Sequence, residues 1–219
     1  MSRRAAHTLL VAAAIAAGGA LIGPRCADPS DEGPTWARDL PGHIVFADQE
    51  GDVSVIYRVA ANGGGRVRLY RNDDPLDPDA LYPSWVDAGR RVRFTAMRAG
   101  AWAAFEIDAG GGGPAVAAGG DFRLLSVPGE SPDLEVEGGA LYARDPSGAR
   151  HLVHREPSGP APVSLANASW GPGRDFVLFQ ACRGPARCEL RVARADGGGT
   201  FTVGSGRHPH WTWPGAPAR

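Results

Sequence analysis

Short apolar runs alternate with glycine-marked turns through most of the chain. His43-Ile-Val-Phe-Ala47, Val92-Arg-Phe-Thr-Ala96, Ala140-Leu-Tyr-Ala143 and Phe176-Val-Leu-Phe-Gln180 each follow a glycine turn at Gly42, Gly89, Gly138-Gly139 or Gly173. A polar loop comes next, then a stretch with period-two alternation. Val55, Tyr57 and Val59 share one face in the first copy, and Leu190 and Val192 do so in the last. That period predicts half-buried strands. Each stretch runs into a glycine cluster: Asn62-Gly-Gly-Gly65, Gly110 to Gly113, and Asp196-Gly-Gly-Gly199. Asn-Gly and Asp-Gly are tight-turn signals because both residues tolerate positive φ. A short final strand follows, at Arg66–Tyr70 and Thr200–Val203.

A second periodicity is superimposed on the first. Pro-x-Trp occurs at Pro34-Thr-Trp36, Pro83-Ser-Trp85 and Pro209-His-Trp211, with degenerate copies at Pro132-Asp-Leu134 and Ala168-Ser-Trp170. The starts are separated by 49, 49, 36 and 41 residues, and four of the six tryptophans belong to the series. Each copy therefore holds about four short strands, the dimension of a propeller blade. In the third copy the Asp145-Pro-Ser-Gly148 turn arrives early, which predicts a lost hairpin. Trp36, Trp85, Leu134, Trp170 and Trp211 are read as the repeat core, since a tryptophan buries about 150–250 Å² of apolar surface. Five elements serve four blades, so Arg207 to Trp213 is expected to pair with the sheet that begins after Trp36.

Pro83-Ser-Trp-Val-Asp-Ala-Gly-Arg-Arg-Val-Arg-Phe-Thr-Ala96 through Phe105-Glu-Ile-Asp-Ala-Gly-Gly111 resembles the WD-repeat-like β-propeller repeat of the bacterial TolB family. The family pattern is roughly Pro-Ser-Trp-Ser-Pro-Asp-Gly, an apolar strand, then an aliphatic strand ending in Asp-x-Asp-Gly-Gly. The likeness covers most of residues 34–215 and departs from the pattern in the Pro-Asp-Gly turn, which reads Asp-Ala-Gly or Gly-Pro-Gly here. It implies an all-β fold, a small β-propeller of about four antiparallel blades with the third degenerate. Propellers of this kind have six or so blades where four copies are present here, and nothing before Trp36 resembles the extra domain of TolB, so the resemblance implies repeat kinship rather than TolB function.

Composition adds an address. All 23 basic residues are arginine, and three of them lie in the first 26 residues while all 24 acidic residues follow. The balance from Ala27 onward is −4, which leaves no electrostatic footprint for nonspecific nucleic-acid binding. Met1 to His7 is a short basic segment and Thr8 to Gly23 is apolar, broken at Gly18-Gly19. The run is shorter than the ~20 residues a spanning helix needs and fits a signal-peptide core better. Residues 1–26 are expected to be an N-terminal signal or anchor helix, 27–33 a linker, 34–215 the propeller and 216–219 a tail. Three outcomes stay open: cleavage after Ala20, lipid attachment at Cys26, and an uncleaved anchor. Arg25 fits the lipid-attachment pattern poorly.

Candidate chemistry is sparse. Cys182-Arg-Gly-Pro-Ala-Arg-Cys188 joins two strands by a five-residue loop, a hairpin that an oxidising compartment can close as a disulfide. Free thiols are the other reading, and zinc lacks further ligands at suitable spacing. The acidic loop Asn72 to Asp79 lacks the order of a calcium-binding loop, and reads as solvated. His208-Pro-His210, and His151 with His154, are incidental pairs. Gly129-Glu-Ser131 begins like a nucleophile elbow, but Asp133 replaces the closing glycine. Glu106, Asp108, Glu135 and Glu137 show no spacing that pairs any two for acid/base work. No catalytic, metal or cofactor residue is expected.

The functional expectation is an exported envelope module, periplasmic or secreted. It acts as a non-enzymatic binder of another envelope protein or peptide, and touches the membrane only through its leader or a lipid anchor. The alternative is a propeller-type hydrolase with acidic residues gathered at the channel mouth. The fold alone does not choose between them.

Overall fold

Antiparallel hairpins follow one another along the chain in a computed structural model, which describes residues 33–72, 79–98, 100–119, 131–184 and 187–213. The expected leader with Cys26, residues 73–78 of the acidic loop, Gly129 and the tail lie outside these residues. The first three strands are β1 (His43–Glu50), β2 (Val53–Ala60) and β3 (Val67–Arg71). The second sheet is β4 (Ala80–Val86), β5 (Arg91–Arg98), β6 (Ala101–Asp108) and β7 (Val116–Ala117). The third has only β8 (Leu134–Glu137), β9 (Ala140–Arg144) and β10 (Arg150–Arg155). The fourth is β11 (Ser164–Trp170), β12 (Phe176–Cys182), β13 (Cys188–Arg194) and β14 (Thr200–Ser205). The last strand, β15 (Arg207–Thr212), returns to lie beside β1, giving the order β15-β1-β2-β3. The fold is thus all-β, four antiparallel sheets, with no α-helix among the described residues.

Turn chemistry explains the hairpins. Gly51-Asp52 is a two-residue loop between Glu50 and Val53. Gly138-Gly139 joins β8 to β9 with φ of 56° and 76°, a turn that needs positive φ at both central residues and so selects glycine.

Three hydrophobic clusters bind the sheets face to face. The first and second sheets share Val45, Ile56, Trp85, Val92 and Phe94. The fourth and first share Phe46, Tyr57, Leu178, Leu190 and Trp211. The third and fourth share Leu141, Val153, Val177 and Phe179. Among the described residues no cluster joins the second sheet to the third. The sheets thus pack in the order second, first, fourth, third, and the first and fourth are each flanked on both faces.

Register sets two members of the repeat series apart, although Trp36 and Leu134 both pack against the core clusters. Trp85 pairs with Val92 and Trp211 with Ile44, each one pair in from the end of its ladder, and Trp170 pairs with Val177 just inside the Gly171 N–H to Phe176 C=O bond. In the third sheet that place belongs to Val136, which pairs with Leu141, and Leu134 lies two residues further out, opposite Ala143. Trp36 lies in no sheet. It sits in a 3-10 turn, Thr35–Ala37, and stacks on Phe176 at 5.6 Å. The Pro209-His-Trp211 copy fills the sheet position that the Pro34-Thr-Trp36 copy leaves vacant.

Candidate functional site

The leading strand of three sheets carries a proline or alanine just before the x-Trp pair, and there the ladder breaks. Between Leu81 and Ser84 of β4, the two residues Tyr82 and Pro83 oppose the single residue Phe94. Asn167 and Ala168 of β11 oppose Phe179, and His208 and Pro209 of β15 oppose Phe46. Each is a β-bulge, an extra residue that re-aims a side chain. Proline has no N–H to give the ladder, so within a sheet it belongs at such a bulge.

The first residue of each bulge is left-handed although none is glycine: φ is 53° at Tyr82, 55° at Asn167 and 51° at His208. A left-handed L-residue costs roughly 1–2 kcal/mol, and persists only where its surroundings over-determine it. Here a phenylalanine lies opposite each one, and Phe46, Phe94 and Phe179 are all buried.

β15 packs between β4 and β11, so the three bulges meet. The Tyr82 and His208 rings lie 4.2 Å apart, tilted by 40°. Gln180 Oε1 accepts from the Asn167 side-chain amide at 2.6 Å and from the His208 backbone N–H at 2.8 Å. Gln180 Nε2 in turn lies 3.5 Å from Cys182 Sγ. Burial, and then the charge of Arg207, push the His208 imidazole down to about 4, so it is neutral at physiological pH. Its buried Nδ1 and the buried Ser169 Oγ have no hydrogen-bond partner. Unused polar atoms inside a fold are rare, and strained backbone clusters at ligand sites.

Other candidates resolve into structure. Cys182 and Cys188 are cross-strand partners joined as a disulfide, Cα atoms 4.0 Å apart. His210 Nδ1 accepts the Trp85 backbone N–H at 3.0 Å, while His208 turns to Tyr82, so the two imidazoles do not converge. Among the described residues no group of three metal-ligating side chains comes together. His151 is exposed. His154 is sandwiched between Thr200 Oγ1 at 2.8 Å and Glu156 Oε1 at 2.9 Å. Arg191 binds that same carboxylate oxygen, so the group staples the third sheet to the fourth. Glu106 is held by Arg91 and Arg93, Glu135 by Arg144 and Arg150, and Glu137 by Arg150. Asp108 accepts the Gly110 backbone N–H at 2.7 Å.

Neither a family model nor a curated protein sequence matches this chain. Among solved structures it is similar to TolB from Acinetobacter baumannii, with 18% identity and a TM-score of 0.29 over 78% of this chain and 43% of that one. It is also similar to a TolB from Agrobacterium tumefaciens, with 15% identity and a TM-score of 0.29 over 76% of this chain and 66% of that one. The chain spans less than two thirds of the length of either.

Proposed function

We propose that this chain is an exported β-propeller module that binds another envelope protein or a peptide at the junction of Tyr82, Asn167 and His208. One observation carries the reading. Three strained, non-glycine residues from three different sheets meet around a neutral histidine that keeps an unused ring nitrogen. A surface built only for stability has no use for that strain. The repeated hairpins, the packing of sheet against sheet and the return of β15 to β1 support a propeller of four blades, the third degenerate. The Cys182–Cys188 bond supports an oxidising compartment. Most carboxylates that a hydrolase would draw on are held by arginine, which supports a non-enzymatic role.

Photo-crosslinking in the source cell tests the site. A photoreactive amino acid at Tyr82 is expected to capture one defined partner, and the same group at Leu152 to capture none. Equal capture at both positions, or none at Tyr82, overturns the assignment. Fractionation tests the address: a cytosolic protein retaining Met1 with Cys182 reduced would end the export reading.

A further inference from the structure

Beyond the Cys182–Cys188 pair that ends β12 and begins β13, the hairpin continues through Arg183 N–H to Arg187 C=O at 2.8 Å. Strand alternation then puts Ala181, Arg183, Arg187, Glu189 and Arg191 on one face. All five line a cleft of about 340 Å³.

The charges in this cleft do not balance. Asp48, on the opposite wall, is occupied by Arg66 at 2.8 Å and by Ser205 Oγ at 2.6 Å. Glu189 is held by Arg191 at 2.7 Å, and Arg191 also binds Glu156. Arg183 and Arg187 remain, exposed and without an acidic partner among the described residues. Like charges facing each other across adjacent strands repel. The disulfide one step below and the backbone bond between them hold the two together regardless. Beneath them Val163 and Ala181 supply apolar surface.

We propose that this cleft binds a carboxylate carried on a short apolar stem, the chemistry of a peptide C-terminus ending in an aliphatic residue. The two guanidinium forks match the two carboxylate oxygens, and the stem covers the apolar floor. The site stands independently of the Tyr82–His208 junction.

The test is an NMR titration of the purified protein at low salt with N-acetyl-alanyl-leucine, its C-terminal amide, and inorganic phosphate. The free acid is expected to shift the Ala181 and Cys188 amides and the Arg183 and Arg187 Nε–H signals saturably, leaving Tyr82 unmoved. The amide and phosphate are expected to bind at least tenfold more weakly. The Arg183→Gln/Arg187→Gln variant is expected to lose at least tenfold with its melting temperature unchanged. Equal binding of acid and amide on the unaltered protein overturns the proposal without any variant. Phosphate binding as tightly as the acid assigns the arginines to phosphate and also overturns it.

Discussion

The first sheet and the third are built from the same repeat and have opposite characters. One pair in from the end of the leading ladder, the first sheet has Trp211, 3% exposed, and the third has Val136, 43% exposed. The first sheet buries Phe46 opposite a bulge, while at the corresponding place the third has Ala143 and no bulge in its β8–β9 ladder. Aromatic rings flank Trp211, with Phe176 at 6.5 Å and Trp213 at 5.9 Å. Both sheets carry arginine–carboxylate pairs, but the third leaves Leu152 exposed. The contrast teaches that a left-handed residue and a buried phenylalanine come as one unit. Where the large ring is absent, the ladder runs without a bulge and the strand offers no strained side chain.

Truncation should separate the two sheets most widely. Trp211→Ala removes a buried indole that also donates to the Pro41 carbonyl at 2.9 Å, and the expected loss is ~3–5 kcal/mol. Val136→Ala at the same register place should stay within about 0.5 kcal/mol, as surface substitutions do. Equal losses in urea unfolding would erase the distinction.

Acid should act on the first sheet next. His208 is held down to about 4 when folded, against 6.5 for an ordinary histidine. The unfolded chain therefore binds the proton first, so this contribution is complete above pH 6.5 and is lost as pH falls towards 4. The upper bound is ~3 kcal/mol. His43, lowered by burial and by Arg58, adds to it with the same sign. His208→Asn, which tolerates the left-handed backbone, should flatten the stability curve between pH 6.5 and 4.

A single methyl group sharpens the comparison further. Gly171 has an ordinary φ of −97°, yet a Cβ there would stand 2.4 Å from Trp211 Cζ3. Gly171→Ala should cost about 1–3 kcal/mol by overpacking. Gly159, between β10 and β11, has open space around it, so Gly159→Ala should be neutral or slightly stabilising. Thermal melts of the two variants check both.

Much of this fold is legible in the sequence, and most of the site is not. The glycine turns and alternating apolar runs mark the hairpins, because turn residues and strand period act locally. The surplus Pro-x-Trp element points to β15 pairing away from its own repeat. The bulges escape, since one extra residue in a ladder leaves composition and period almost unchanged. One local signal was available: Pro83 and Pro209 fall inside runs that otherwise read as strands, and a proline there requires a bulge or an edge. Leu134 stands as far before Leu141 as Trp85 stands before Val92, but the third sheet turns through the two residues Gly138-Gly139 where the second turns through Asp87 to Arg90, so register puts Val136 opposite Leu141 and moves Leu134 outward.

The return of β15 to β1 also sets an order of events. During synthesis β1 emerges before every other described strand, and its partner β15 emerges after them. Until then the β1 edge presents Ile44 and Phe46 uncovered, together with a row of open backbone groups. Closing that pair spans most of the chain, a contact of the kind that slows folding. A product cut anywhere before Arg207 lacks β15, so its first sheet stays incomplete and its β1 edge stays exposed to proteases and chaperones.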